Sequence, residues 1–459
     1  MTDSFIHHPS SYRDPAGFIF SKNGVLYRQV NKVFSKDFDF FLTSGCYEKL
    51  VNKGMLIPHE VINENLTGDK EWYTTLQPAP IPFISYPYEW SFDMLKDAAL
   101  LTLDLLKEAM DLGMILKDAT PYNIQWHSGK LIFIDSLSFE QYDETKPWIA
   151  YRQFCECFLS PLLLSHHSKM PLQELLLAYS DGIPLLVTQA LLPWKTKFSF
   201  HTYLHIHLHA KYSLKKPSAT GEKTIFSKRK LLNLITSLEI LIKKLRLPES
   251  KSTWSDYYDE AAQRKDYLEH KEKIIGKWLG KIKPESVADF GANTGEFSKL
   301  AATQNIKVIA TDFDAFCINT LYKEIKKNSE KNILPLVLDL SKPSPAIGVN
   351  NDERDSFIHR TQVDLALALA LVHHLAIGKN ISLGKIADFF KPVCNYLIIE
   401  FVPKTDEKIL LMLRNKEDIY SQYTEENFRI QFQNHFNIQE KIMIAGSERT
   451  LYLMKKNEG

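Results

Sequence analysis

The sequence predicts two domains: an α+β domain in the first half, followed by an α/β domain whose parallel-type sheet carries helices on both faces. Three observations carry this reading. The chain has 459 residues, more than one hydrophobic core usually organises. From Ser286 onward, continuous apolar runs alternate with helical stretches, the pattern of βα units whose strands are buried on both sides. Between the halves, KYSLKKPSATGEKT replaces apolar periodicity with Pro, Ser, Gly and Lys, the composition of a linker. The expected boundaries are 1–215 for the first domain, 216–250 for a linker and connecting helix, and 251–459 for the second.

The first domain opens with GFIFSKNGVLYRQV, two β-rich runs around Asn23 and Gly24, both of which accept positive φ and so mark a hairpin. EWYTTLQPAPIPFISYPYEWSF mixes aromatic and β-branched residues with prolines, which suits edge strands and an extended connector. From Ser91 the pattern turns helical: Met94, Ala98, Leu101, Leu105 and Leu112 share a stripe, and Gly113 supplies a C-cap. Past the linker, SKRKLLNLITSLEILIKKLRL predicts an amphipathic helix ended by Pro248. DEAAQRKDYLEHKEKIIGKWLGKI predicts another, whose charge-laced first part reads as a solvated face with i,i+4 pairs. The strands SVADF, VIATD, ILPLVLD, DLALALAL and YLIIEF follow, helices between them, and a pair near 436–454 closes the series.

Lysine and arginine number 56 against 55 acidic residues, so charge balance gives no general signal for nucleic acid or an anionic membrane. Cys46, Cys155, Cys157, Cys317 and Cys394 are scattered, and CxC at 155 and 157 lacks the second half of a zinc site; reduced thiols and no metal centre are expected. The N-terminus lacks a basic region followed by an apolar run, and LALALALVHHLAI is too short to span a bilayer. No membrane segment and a cytoplasmic location are expected.

The chemistry concentrates after SVADF, where Asp289, Gly291, Asn293 and Gly295 open a helix. A turn this tight needs residues that accept positive φ and let the backbone approach a ligand, which glycine does without a Cβ clash and asparagine tolerates. The spacing lacks the three glycines of a dinucleotide fingerprint, which disfavours NAD. Asp312 ends the next strand, where a carboxylate accepts hydrogen bonds from both ribose hydroxyls. Asp339 ends the third, where it would meet an adenine amino group. Three acidic strand ends beside one glycine turn suit a cationic ligand without phosphate, which describes S-adenosylmethionine. Asp364 leads the fourth strand, and His373 and His374 stand at its carboxyl end, where ligands of open α/β sheets sit. His374, then His373, are candidates for substrate binding or proton removal; the plainer reading has them bonding a neighbouring loop. Glu400, at the end of YLIIEF, is a further candidate base, its plainer reading a solvated or helix-capping carboxylate.

In this order DFGANTG, TDFD, LDLS, DLALALALVHHL and YLIIEF resemble the motifs of class I S-adenosylmethionine-dependent methyltransferases, over about residues 250–456. Asn293 stands where such proteins usually have glycine. LALALVHHLAIG, IEFVPKTD and SERTLYL look like a bacterial group of nodulation-type methyltransferases. The resemblance implies a Rossmann-like methyltransferase domain, S-adenosyl-L-methionine as cofactor, and methyl transfer to a small-molecule or macromolecular acceptor that the sequence leaves unidentified. A non-catalytic S-adenosylmethionine-binding scaffold is an alternative.

A second constellation lies in LKDATPYNIQWHSGKLIFIDSLSFE. Asp118 and Asn123 are spaced DxxxxN, and Asp135 follows the strand LIFID. In a kinase the first Asp orients the acceptor hydroxyl, while the Asn and the second Asp hold magnesium on the phosphates. The segment resembles the catalytic loop of protein-kinase-like and aminoglycoside-phosphotransferase-like folds over about residues 15–200, which implies ATP and magnesium in the first domain. The sequence departs from that pattern: Leu116 replaces the usual histidine, Ser136 and Leu137 replace Phe and Gly, and no glycine-rich loop precedes the hairpin. Arg28 or Lys32 would stand for the phosphate-binding lysine. Phosphotransfer, or a degenerate fold that presents substrate, is the alternative function.

Weaker signals are His201, His205, His207 and His209 in HTYLHIHLHAKY, whose spacing could serve a metal but fits an amphipathic surface element better. Tyr257 and Tyr258 would cover the donor site or pack.

Overall fold

The computed structural model describes residues 5–213, 226–248, 265–414 and 417–458. Most of the expected linker stretch, with Tyr257 and Tyr258, lies outside the described residues. The chain divides into two compact units: Met1–Pro248 with Asp352–Arg354, and Glu249–Asn351 with Asp355–Gly459.

In the first unit, strands β1 (Ile6–His7), β2 (Gly17–Lys22), β3 (Val25–Asn31), β4 (His59–Ile62) and β5 (Trp72–Pro78) form an antiparallel sheet of order β1-β2-β3-β5-β4. Asn23 and Gly24 both have positive φ, as the hairpin requires. The helix Phe92–Met110 begins where Ser91 Oγ accepts the Met94 N–H, and Gly113 just beyond it has φ +75°. Short strands β6 (Met114–Leu116), β7 (Ile124–His127), β8 (Lys130–Phe133) and β9 (Phe139–Gln141) then pair as β6-β9 and β7-β8, which folds the DxxxxN loop and Asp135 back toward each other.

Two expectations for this unit change. The helix Lys228–Lys244, expected as a connector, is packed: Leu231, Ile235, Leu238 and Ile242 are buried and Lys107 Nζ meets Glu239 Oε1 at 2.5 Å. HTYLHIHL is not a surface element, because Tyr203–Leu208 winds as a π-helical turn that buries both His205 and His207. Tyr151 Oη and Ser237 Oγ take the two ring nitrogens of His205 at 2.8 and 2.9 Å, so hydrogen bonds rather than a metal satisfy it.

The second unit has strands β10 (Ser286–Phe290), β11 (Lys307–Asp312), β12 (Ile333–Val337), β13 (Val363–Ala368), β14 (Cys394–Phe401), β15 (Phe436–Met443) and β16 (Thr450–Lys456), in sheet order β12-β11-β10-β13-β14-β16-β15. The first five pair in parallel and β16 runs antiparallel to β14 and β15. This is the expected Rossmann-like α/β class, and the strand order reverses between β10 and β13. Such a reversal opens a crevice at the carboxyl ends of the strands.

In the described part of the charge-laced helix, Asp266, Glu269, Glu272 and Lys273 are exposed, as a solvated face requires, and Lys271 is the exception. Within Lys265–Ile282, Tyr267, Lys271, Ile274, Ile275 and Trp278 are buried, so the stripe that faces the sheet includes a lysine.

Candidate functional site

A cavity of about 270 Å³ occupies the crevice between β10 and β13, in the second unit. Its floor is the turn after β10. Gly291, Asn293 and Gly295 all have positive φ, at 78°, 52° and 83°, so Asn293 adopts the left-handed form expected of the glycine it replaces. The N–H groups of Gly291 and Ala292 both donate to Thr311 O, at 2.8 and 2.9 Å, pinning the turn to β11.

Asp289, Asp312 and Asp339 bring three carboxylates to the cavity lining. Asp312 accepts the Asn293 N–H at 2.9 Å and the Asp314 N–H at 2.9 Å, which fixes its orientation at the end of β11. Asp289 accepts the Ser298 hydroxyl at 2.6 Å. Burial pushes both Asp289 and Asp312 up to about 6. Asp339 is held by the N–H and hydroxyl of Ser341, with Lys379 Nζ at 3.8 Å. The rest of the lining is largely apolar, with Phe297, Leu338, Leu369 and Leu371 among it.

His374 lines the cavity, and burial, with Arg449 and Lys408 nearby, lowers it to about 4, so its imidazole is neutral near pH 7. His373, Glu400 and Gly295 are not in the lining. His373 is 2% exposed and packs its ring against His374, centroids 3.9 Å apart. Gly295 instead sits against Leu321, whose Cδ1 would lie 2.7 Å from any added Cβ.

Glu400 is wholly buried and fully engaged. Its carboxylate accepts from Tyr267 Oη at 2.8 Å, Lys271 Nζ at 2.6 Å and the Ala370 N–H at 2.9 Å, with Arg449 Nη1 at 3.5 Å. Burial alone would raise its pKa, but Lys271 and Arg449 outweigh burial and hold it below the usual value. A carboxylate so committed is a poor proton acceptor, which answers the expectation of Glu400 as a base. Arg449 in turn makes a paired contact to Asp406, at 2.8 and 3.0 Å.

In the first unit the three residues of the DxxxxN constellation converge. Asn123 Nδ2 donates to Asp118 Oδ2 at 3.0 Å and to Ser138 Oγ at 3.2 Å, while the Ser138 hydroxyl donates to Asp135 Oδ2 at 2.6 Å. Arg28, on β3, meets Asp135 Oδ1 at 2.6 Å, so of the two cations expected there it is Arg28 that reaches the cluster. Lys32 turns to the carbonyl of Lys70. Gln153 Nε2 donates to Asp118 Oδ1 at 2.5 Å, and burial followed by the charge of Asp135 raises the Asp118 pKa.

No family model matches the chain. Over an alignment of 474 positions it is 33% identical to nodulation protein NoeA of Rhizobium meliloti (strain 1021), covering 98% of this chain and 96% of that one. The chain belongs to the NoeA family. The nodulation-type resemblance carried by LALALVHHLAIG, IEFVPKTD and SERTLYL is thereby borne out. Among solved structures, this NoeA-family chain is similar to magnesium protoporphyrin IX methyltransferase (ChlM) from Synechocystis PCC 6803 with bound SAH, at 15% identity and TM-score 0.32, covering 46% of this chain and 90% of that one. N-methyltransferase NodS from Bradyrhizobium japonicum WM9 aligns over 42% of this chain and 97% of its own, at 11% identity and TM-score 0.32. The bifunctional kinase-methyltransferase WbdD aligns over 48% of this chain and 46% of its own, at 18% identity and TM-score 0.30.

Sequence reasoning about this NoeA-family chain missed Lys271, which lines the cavity with its Nζ 4.9 Å from the Phe297 ring centroid. The signal was available: Tyr267, Lys271, Ile274 and Trp278 follow the i, i+4, i+7 spacing of a core-facing stripe. Among the described residues, no helix is long and apolar enough to cross a membrane, and no group of three His, Cys, Asp or Glu side chains could hold a metal.

Proposed function

We propose that the second unit binds S-adenosylmethionine in the cavity between β10 and β13 and serves methyl transfer to an acceptor. The observation that carries this reading is the trio Asp289, Asp312 and Asp339 at the carboxyl ends of adjacent parallel strands, around a left-handed turn with room for a ligand backbone. Carboxylates in an apolar enclosure favour a cation and oppose a phosphate. S-adenosylmethionine supplies a methyl group on a positively charged sulfur. Asp312 would accept the ribose hydroxyls, Asp339 the adenine amino group, and the Gly291–Asn293 backbone would lie along the ligand. His374, neutral near pH 7 and in the lining, is the side chain placed to meet an acceptor; its lowered pKa makes it a weak base, so it suits orienting the acceptor through a hydrogen bond more than abstracting its proton. Glu400 and His373 act through others: one fixes Lys271 and Ala370, the other packs against His374. Isothermal calorimetry with S-adenosylhomocysteine tests the reading; no heat at millimolar ligand would refute it.

A second reading is favoured by the convergence of Asp118, Asn123 and Asp135 with Arg28. That cluster supports a kinase-like site for ATP and magnesium in the first unit, its metal ligands being Asn123 and Asp135 and its acceptor-orienting group Asp118. A rise in melting temperature with ATP and magnesium, absent with ATP and chelator, is the result expected of it.

A further inference from the structure

A second concavity in the same unit, a groove of about 480 Å³, shares the turn that follows β13. Leu375, Gly378 and Lys379 of that turn line the donor cavity, while Ala376 and Asn380 line the groove. Among the described residues, its lining contains no Asp, Glu, Lys, Arg or His side chain, in a chain that is 24% charged. In their place stand Asn380, Gln422, Asn427 and Gln431, with Tyr420 and Ser382.

This lining is organised by the fold. The helix Glu425–Gln433 buries Phe428 and Phe432 against the sheet, and the same helical spacing sets Asn427 and Gln431 together toward the groove. The amides orient one another. Gln431 Nε2 donates to Asn427 Oδ1 at 3.3 Å, Asn427 Nδ2 donates to Gln422 O at 2.8 Å, and Tyr420 Oη donates to Asn380 Oδ1 at 2.5 Å. Opposite Gln431, the helix Leu383–Val393 carries Gly384, where any Cβ would come within 2.8 Å of Gln431 Oε1. Glycine inside a helix costs stability relative to alanine, and here it leaves the space the Gln431 amide fills.

An uncharged wall offers no counter-ion to a phosphate, carboxylate or ammonium group, so burying one there is unfavourable. Carboxamides carry donors and an acceptor on one rigid plane, and each hydroxyl of a ligand likewise gives and takes a hydrogen bond. Tyr420 and Ile381 add apolar surface for the carbon face of a ring. We propose that this groove seats the methyl acceptor and that the part it holds is an uncharged, hydroxyl-bearing ring of the saccharide kind. The proposal rests on the methyl-transfer reading of the neighbouring cavity.

Saturation-transfer NMR on the full chain with S-adenosylhomocysteine present tests it, using glucose and cellotriose as neutral probes and glucose 6-phosphate as a charged one. The neutral sugars are expected to receive saturation and the phosphate to receive little. Gln431→Leu and Gly384→Val are expected to cut the neutral signal by about tenfold, the loss of one well-placed hydrogen bond to a ligand. S-adenosylhomocysteine affinity should stay unchanged in both variants, which shows that the unit remains folded. Absence of saturation on either neutral sugar overturns the proposal, as does an equal response from glucose 6-phosphate or a signal that survives both substitutions. If the unmodified chain fails to bind S-adenosylhomocysteine, it is the donor reading that falls, and this one with it.

Discussion

Lys271 Nζ lies 2.6 Å from Glu400 Oε2, and the two side chains are 3% and 0% exposed. The pair is the hinge between a cavity wall and an interior charge cluster, because Lys271 also lines the cavity and Glu400 also accepts the Ala370 N–H. Ala370 itself has φ +50°, a left-handed conformation uncommon outside glycine and asparagine. The carboxylate therefore holds in place a backbone turn that is unfavourable by itself.

Glu400→Ala should strip that turn of its acceptor and leave the Lys271 ammonium buried without its anion. Breaking a buried pair by deleting one partner costs about 3–5 kcal/mol. Urea denaturation followed by intrinsic fluorescence should show this loss, and Lys271→Met combined with Glu400→Gln should lose less than the two single changes added together.

Asp312→Ala should weaken S-adenosylhomocysteine binding by about 10- to 100-fold, the value of hydrogen bonds to a charged acceptor. Calorimetry reads it directly, with far-ultraviolet circular dichroism as the check that the sheet persists.

Donor binding should depend on pH in a defined direction. Asp289 and Asp312 sit near 6 in the folded unit, above the ordinary value near 4, because burial favours their neutral forms. Their raised values stabilise the empty unit below about pH 4, and that contribution is lost as pH rises through about 6. Affinity for the cationic donor should move the opposite way, rising as the carboxylates ionise and falling by up to about tenfold per pH unit per group below 6. S-adenosylhomocysteine, which lacks the sulfonium charge, should show a shallower dependence in the same titration.

Gly295→Ala and Gly291→Ala should separate stability from binding. At Gly295 a methyl group would meet Leu321 Cδ1 at 2.7 Å on a backbone with φ +83°, and about 2–4 kcal/mol of stability should be lost. At Gly291 the nearest atom, Leu371 Cδ1, is 3.5 Å away, so the change acts through the left-handed turn that lines the cavity. Melting temperature should fall more for the first and donor affinity more for the second.

In the first unit, Asp135→Asn should abolish any magnesium-dependent rise in melting temperature with ATP. It should also weaken the contact to Arg28, now 2.6 Å from Asp135, so the variant without ligand should melt lower than the parent.

The parts of the fold visible in the sequence are those with local causes. The strand runs SVADF and DLALALAL are apolar on both faces because helices cover both, and the turn at Gly291 to Gly295 is written in residues that tolerate positive φ. Asp312 and Asp339 were legible because their place at strand ends follows from the same runs. What stayed hidden depends on partners far away in sequence. Glu400 looked like a free strand-end acid because Lys271 and Arg449, which neutralise it, come from different elements. His205 looked exposed because Ser237, its partner, lies on the helix expected as a connector. A polar side chain next to polar neighbours reads as solvated until the fold shows which of them face inward.

The sheet order has a consequence for how the unit is made. Strand β16 lies between β14 and β15, yet it is the last of the three to be synthesised. Until Thr450–Lys456 leaves the ribosome, Cys394–Phe401 has a bare edge and Phe436–Met443 has nothing to pair with. The nascent unit must therefore carry an open, apolar strand edge from the completion of Phe401 until Thr450 follows, the kind of edge that invites pairing with a neighbouring chain. Chains stopped before Thr450 would keep that edge permanently.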